Sequence, residues 1–231
     1  LLGHPDGQSL GRKFKISLAG SFAPAHDLSA IHDLGLVAVQ RTVDYLPQRG
    51  FHARVGGGLG AVPHEAAVLE AFLPEAELLP TTLAVIRVFA RHGERRNRAR
   101  ARLKFLVAAW GIERFREAVA EERAALVHDP RWTAWLADTE RWADRPLHPP
   151  GGAWPAPTAP DAATWLLTNA SPQRQGGYAT VKVRVPQGDL DPAQLRGLAA
   201  LLRTHTGDTL RIGPDQSLML RWVPTDRLLD V

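Results

Sequence analysis

The chain has 231 residues, of which 45% are hydrophobic and 23% are charged, and it contains no cysteine. This composition is typical of a folded globular protein, and it excludes disulfide bonds and any metal or cluster site held by thiolates of this chain. The 28 Lys and Arg residues outnumber the 24 Asp and Glu residues only slightly, which favours a local anion site over a uniformly basic surface.

The start of the chain carries no targeting signal. The sequence opens with Leu1-Leu2-Gly3, without an initiator Met and without a signal-peptide pattern. No apolar run reaches the roughly 20 residues that a membrane-spanning helix needs. We therefore expect a segment of a longer cytoplasmic polypeptide that has no membrane partner.

Predicted strands precede predicted helices in the first part of the chain. Apolar runs and alternation predict strands at 13–19, 34–40 and 50–55. Helical spacing, in two cases ended by a glycine, predicts helices at 63–72, 81–92, 98–110 and 112–126. The order predicts a large α+β domain with a mixed sheet over residues 1–144.

A proline-rich stretch then divides the chain. Six prolines and two glycines between Arg145 and Asp161 predict an extended linker over residues 145–161. Beyond it, strands are predicted at 180–185, 209–212 and 217–222, with a helix from Asp191-Pro192 to His205 and a short helix at Thr225. This β-α-β-β-α order predicts a small ferredoxin-like half-domain over residues 162–231.

The first candidate site is the segment Gly11-Arg12-Lys13-Phe14-Lys15. In a strand, Lys13 and Lys15 face the same side, roughly 6–7 Å apart, while Phe14 faces the core. Two ammonium groups in this arrangement suit an oxyanion or a carboxylate. The alternative is an exposed strand edge that its lysines protect from aggregation.

The second candidate site is the glycine-rich stretch that includes Gly56, Gly57 and Gly58. Glycines let the backbone approach a ligand closely, and amides in a turn favour anions. The stretch also loosely matches a dinucleotide-binding fingerprint, although no acidic residue follows at the end of a second strand. A tight turn without a ligand is the remaining alternative.

The third candidate is a basic run of eight cations between Arg87 and Lys104, interrupted only by Glu94. On the predicted helix, Arg98 and Arg102 share one face and could clamp carboxylates or phosphates. The alternatives are a solvated helix face and a nucleic-acid interface. The run lacks the interleaved aromatic residues that stack on bases, so we expect no nucleic-acid partner.

The histidines show no spacing typical of a metal site, so no metal ligand is predicted. One of them, His32, stands beside Asp33 immediately before a predicted strand. This placement favours a structural turn in which the histidine pairs with the carboxylate.

Several of these stretches together resemble one known family, the siroheme-dependent sulfite and nitrite reductases. They follow the family's order and cover most of the chain outside the proline-rich stretch. The matching stretches are GRKFKIS from Gly11, HDLGLVAV from His32, GFHARVGGGLG from Gly50, RNRARARLKFLVAAWGIERFR from Arg96, QGGYATVKV from Gln175, GDLDPAQLRGLAAL from Gly188 and RIGPDQSLMLRWVP from Arg211. The resemblance implies the first large domain, the N-terminal copy without a cluster, followed by the second ferredoxin-like segment.

The resemblance also implies site residues. It places Lys13 and Lys15 as catalytic residues that face substrate and siroheme. It implies siroheme contacts for seven further residues, namely Arg12, Gly56, Gly57, Gly58, Arg98, Arg102 and Lys104, and for Gln216 in the ferredoxin-like segment.

The implied activity is the six-electron reduction of sulfite to sulfide or of nitrite to ammonia. The implied cofactors are siroheme and a 4Fe–4S cluster whose ligands are not in this chain, and the electron donor would be a ferredoxin or a flavoprotein. The N- and C-terminal parts of the same enzyme would be further partners, and the fragment alone would be inactive. The alternative is a non-catalytic relative that binds a tetrapyrrole or another polyanion.

Overall fold

The computed structural model describes residues 4–23, 27–139, 143–213 and 215–231. Its internal contacts divide the chain into two units, Leu1–Thr139 and Glu140–Val231, each with its own hydrophobic core. Among the helices of the described ranges, none has both the length and the hydropathy to span a bilayer.

The first unit is built on a four-stranded mixed sheet. Its strands, in spatial order, are β1 (Ile16–Ala19), β2 (Leu34–Val43), β3 (Leu46–Val55) and β4 (Ala67–Pro74). Strand β1 is parallel to β2, and the other neighbours are antiparallel. Asp44 and Tyr45 form the tight β2–β3 turn with positive φ values of 50° and 63°, as the twist of a two-residue hairpin requires.

Four helices follow the sheet. They are α1 (Leu78–His92), α2 (Leu103–Trp110), α3 (Ile112–Ala124) and α4 (Arg131–Ala137). Gly111, with φ of 78°, makes the sharp turn between α2 and α3. Phe115 of α3 is fully buried and packs with Leu103 and with leucines of the sheet, so one apolar core joins sheet and helices.

Two of the predicted helices are wrong in this unit. Residues 67–74 form strand β4 instead of a helix over 63–72. Leu69 and Leu73 are its buried leucines, and a spacing of four residues puts two side chains on one face of a helix and of a strand alike.

The predicted helix over 98–110 begins only at Leu103, and Arg98–Arg100 is a short 3-10 turn. Side chains compete with helix formation here: Glu94 Oε1 accepts the amide hydrogens of Arg96 and Asn97, and Asn97 Oδ1 accepts that of Ala99. Arg98 and Arg102 therefore do not share a helix face.

The second unit is an antiparallel sheet with two helices. Its elements in chain order are α5 (Pro160–Asn169), β5 (Ala170–Pro172), β6 (Tyr178–Val183), α6 (Pro192–His205), β7 (Arg211–Ile212) and β8 (Leu218–Pro224). The spatial order of the strands is β5-β6-β8-β7. Asp191 caps α6 at the predicted start of the helix, and it forms a reciprocal capping box with Gln194.

The α+β fold class is confirmed, and the predicted β-α-β-β order is present in β6, α6, β7 and β8, followed by a 3-10 turn at Thr225–Asp230. The proline-rich segment packs on this unit: Tyr178 donates its hydroxyl hydrogen to the carbonyl of His148 at 2.8 Å, and Gly151 N–H donates to Gly177 at 2.9 Å.

Candidate cofactor and anion site

The paired lysines lie on an extended segment just before β1. The side chains of Lys13 and Lys15 are exposed, and Phe14 between them packs against Phe89 with ring centroids 6.0 Å apart. The backbone of Lys15 is held on both sides, because its N–H donates to Asp33 Oδ2 at 2.9 Å and its carbonyl accepts from Leu34 at 3.1 Å. The Lys15 ammonium group therefore projects from a backbone that hydrogen bonds hold in place, and the Lys13 ammonium group lies two residues before it.

The glycine-rich stretch is a buried loop after β3. The N–H groups of Gly56, Gly57 and Gly58 donate to the carbonyls of Asp33, His32 and His64 at 2.9, 2.9 and 3.0 Å. All three amides are thus used inside the fold and are not free to bind an anion. The element after the loop is strand β4 rather than a helix, so the dinucleotide-binding interpretation is wrong.

Close packing explains why this loop is made of glycines. A Cβ atom on Gly57 would collide with the carbonyl oxygens of Ala30 and His32, and a Cβ on Gly58 would lie 2.7 Å from Arg102 Nη1. Gly56 has φ of +83°, a conformation that side chains rarely allow. The glycines let the loop lie directly on neighbouring backbone and on the Arg102 guanidinium group.

Arg102 connects this loop to the lysine segment. Its Nη2 donates to Asp33 Oδ2 at 2.8 Å, its Nη1 lies 3.4 Å from the carbonyl oxygen of Leu59, and 19% of its side chain is exposed. The same carboxylate oxygen thus accepts hydrogen bonds from Arg102 and from the backbone of Lys15. His32 does not pair with Asp33, because its Nδ1 lies 2.7 Å from the carbonyl oxygen of Leu28, so the predicted histidine–carboxylate pairing is wrong.

Lys104 lies inside the unit and supports the loop from below. It is 3% exposed, and its Nζ donates to the carbonyls of Val62, Leu59 and Gly58 at 2.5, 3.2 and 3.4 Å. Burial lowers the pKa of Lys104, and the nearby positive charge of Arg102 lowers it further, while Asp33 acts in the opposite direction. Lys104 therefore places a positive charge on the buried side of the loop, and its ammonium group does not reach the solvent-exposed surface of the protein.

The remaining predicted residues lie farther out. Arg12 is partly buried next to Lys13, and Arg98 is exposed in its 3-10 turn. Gln216 belongs to the second unit, where it is exposed in the turn between β7 and β8 with φ of 62°. It lines a cavity of about 470 Å³ together with the ion-paired Lys182 and Asp215. The described ranges contain no cluster of acidic or histidine side chains that could hold a metal ion.

Comparisons with known proteins identify the family. Residues 1–126 match the nitrite and sulphite reductase 4Fe-4S domain, and residues 171–231 match the nitrite/sulfite reductase ferredoxin-like half domain. The chain belongs to the nitrite and sulfite reductase family. This is the family that uses siroheme and a 4Fe–4S cluster, and its members are oxidoreductases.

Similar proteins cover the whole chain. A sulfite reductase (ferredoxin) 2 from Mycolicibacterium paratuberculosis is 32% identical over 100% of this chain and 36% of its own length. A ferredoxin–nitrite reductase from Synechococcus elongatus is 28% identical over 98% of the chain and 39% of its own length. The solved structure of the NirA protein of Mycobacterium tuberculosis matches 99% of this chain and 36% of its own, with a TM-score of 0.66 and 27% identity. The chain thus spans little more than a third of these relatives.

Asp33 is the residue of this site that sequence reasoning missed. It is fully buried and lies 69 positions before its partner Arg102, so no local pattern connects the two. One signal was available, namely a carboxylate immediately before the apolar run of β2, where a buried acid needs a hydrogen-bonded partner.

Proposed function

We propose that this chain supplies part of the siroheme pocket and of the substrate anion site in a sulfite or nitrite reductase. One observation carries the proposal: Lys13 and Lys15 are exposed on a segment whose backbone is fixed by the carboxylate that also holds Arg102 over the glycine loop. Two exposed cations, one of them on an anchored backbone that Asp33 links to a closely packed loop, suit a small oxyanion next to a flat, anionic cofactor.

The residues present fit siroheme, which carries many carboxylate groups. Arg12, Lys13, Lys15 and Arg98 offer positive charge near or at the surface of the first unit. Nε of Arg102 is buried and has no hydrogen-bond partner among the described residues, so this guanidinium retains donor capacity. Asp33 offsets the charge of Arg102, so the buried Lys104 leaves the region of the loop with a net positive charge, which favours an anionic group there.

Siroheme, when bound, supplies the iron on which the oxyanion is reduced by successive electron transfers. Lys13 and Lys15 would bind the oxyanion, orient it and stabilise the negative charge that builds up as its oxygens leave as water. Arg12 and Arg98 would hold cofactor carboxylates, and the role of Gln216 in the second unit stays a prediction. Gly56–Gly58 are buried, so they would shape the loop rather than contact the ring.

The whole enzyme would need parts that this chain does not contain. A 4Fe–4S cluster needs thiolate ligands, and none of the 231 residues is a cysteine. We therefore propose that further segments of the same enzyme hold the cluster, and that a ferredoxin or a flavoprotein delivers the electrons. The six electrons would convert sulfite to sulfide or nitrite to ammonia in the cytoplasm.

The test is made on the complete polypeptide, produced in a host with a verified siroheme supply. We expect the absorption bands of siroheme and iron and acid-labile sulfide in the ratio of one siroheme to one 4Fe–4S cluster. Lys13→Met and Lys15→Met should each lower kcat/KM for the anion by about 100-fold while siroheme is retained, because each removes one charge that stabilises the transition state.

The matched control is Arg196→Met on the exposed face of α6, which also removes one positive charge and should leave the kinetics unchanged. Wild-type kinetics in both lysine variants would contradict the assignment of the anion site. A colourless, iron-free polypeptide would instead favour a relative that binds a polyanion without catalysis.

A further inference from the structure

We propose that Asp33 is the positioning residue of the anion site, setting the place of Lys15 and, through Arg102, the place of the glycine loop. The inference rests on the proposed function, and it assigns a role to a residue that does not itself reach the substrate. Asp33 is 0% exposed, so it acts only through the groups that it contacts.

One carboxylate oxygen joins two of the site's elements. Asp33 Oδ2 accepts the N–H of Lys15 at 2.9 Å and Nη2 of Arg102 at 2.8 Å. The first bond fixes the backbone from which the Lys15 ammonium group projects. The second fixes the guanidinium group, whose Nη1 lies 2.7 Å from the place that a Cβ atom on Gly58 would take. Any displacement of the carboxylate therefore displaces both elements.

The backbone of Asp33 also holds the start of the glycine loop. Its carbonyl accepts the N–H of Gly56 at 2.9 Å, and the next amide, of Leu34, donates to the carbonyl of Lys15 at 3.1 Å. Lys15 is thus bound to residues 33 and 34 through both its N–H and its C=O. Strands β1 and β2 begin their parallel pairing at the next position, Ile16 with Leu34. The bonds between Asp33 and Lys15 therefore lie at the start of this strand pair.

Electrostatics explain why this residue is an acid. A fully buried carboxylate is stabilised only if it is paired and hydrogen-bonded, and Arg102 provides both. In return, the carboxylate neutralises Arg102. An amide oxygen at position 33 could still accept both bonds, but only as a neutral group, so both bonds would weaken and the Arg102 charge would be left partly buried without a counter-ion.

The experiment uses Asp33→Asn in the complete holoenzyme, with Asp189→Asn on the surface of the second unit as the matched control. Three readouts are needed, namely siroheme content, KM and kcat for the anion, and hydrogen exchange at the Lys15 amide. We expect siroheme to be retained, KM to rise at least about 10-fold with a much smaller change in kcat, and the Lys15 amide to exchange at least about 10-fold faster. The control should match wild type in all three.

The double variant Asp33→Asn/Lys15→Met separates positioning from a general structural effect. If Asp33 acts through Lys15, the double variant should raise KM no more than Lys15→Met alone. Additive effects, or unchanged Lys15 exchange in Asp33→Asn, would overturn the proposal. If Asp33→Asn yields no folded holoenzyme, Asp33→Glu, which keeps the charge and moves it by one methylene, is put through the same cycle with the same criteria.

The two proposals can fail separately. Wild-type kinetics in both Lys13→Met and Lys15→Met contradict the proposed function of the anion site. Faster Lys15 exchange in Asp33→Asn without any rise in KM contradicts the positioning role, because the segment is then loosened without consequence for the anion.

Discussion

At the scale of single residues, Lys104 shows how a buried charge can support a loop. Its ammonium group satisfies three carbonyls between Gly58 and Val62. Lys104→Met removes these donors, and we expect the free energy of unfolding to fall by about 1–3 kcal/mol at neutral pH, as measured by urea denaturation. Arg114→Met, which removes a charge near the surface of α3, is the matched control and should change stability much less.

The contribution of Lys104 to the free energy of unfolding depends on pH, and the direction of its pKa shift fixes the sign of that dependence. Its pKa in the folded protein lies below the ordinary value of 10.5, so the unfolded chain binds the proton more tightly. The contribution of Lys104 to the free energy of unfolding therefore rises as the pH approaches 10.5. The difference between wild type and Lys104→Met should widen over that range, and a constant or shrinking difference would contradict the burial of the charged form.

Residue patterns in the sequence predicted which side chains face solvent better than they predicted which side chains contact each other. The alternation of Lys13, Phe14 and Lys15 correctly predicted two exposed cations around a packed aromatic ring. The sequence contained no indication that Arg102 and Lys104 point inward, because their partners, Asp33 and the 58–62 loop, are brought to them only by the tertiary fold. The roles of these residues toward siroheme stay predictions.

At the scale of elements, helices α1 and α3 and strands β2, β3, β6 and β8 were predicted well, whereas strand β4 and the start of α2 were not. Helix α1 was predicted within three residues of its start, since its long periodic stretch and terminal glycine leave few alternatives. Strand β4 was mistaken for a helix because pairing with β3, a long-range contact, decides its conformation. Helices α4 and α5 and strand β5 were not predicted.

The packing of α1 on α3 depends on one buried acid. Glu122 of α3 is 7% exposed and forms ion pairs with Arg87 and Arg91, one turn apart on α1. Glu122→Gln leaves both arginines without this counter-ion, so we expect the free energy of unfolding to fall by about 1–3 kcal/mol in urea denaturation. Glu121→Gln, an exposed neighbour on the same helix, should stay within about 0.5 kcal/mol of wild type. Equal effects of the two variants would contradict the role of the buried pair.

At the scale of the whole chain, the basic run does not form one surface. Its eight cations are divided among several tasks. Arg87 and Arg91 pair with Glu122, Arg102 pairs with Asp33, and Lys104 is buried under the loop. The prediction of one arginine-rich helix face is therefore wrong. The exposed arginines Arg96, Arg98 and Arg100 lie outside a helix face, because local hydrogen bonds keep the residues before Leu103 out of α2.

The two units have separate apolar cores, so we expect a core substitution in one unit to destabilise that unit alone. Leu220 of β8 is fully buried in the core of the second unit, with Val181, Val223 and Leu228 around it. Leu220→Ala removes its contacts and leaves a cavity, which costs about 2–5 kcal/mol. Hydrogen exchange of the complete protein should accelerate at the amides of β6 and β8, while those of β2 and β3 keep wild-type protection because their core shares no residue with this one. Acceleration of β2 and β3 to the same extent would mean that the units unfold together, and the lysine site would then depend on the stability of the half-domain.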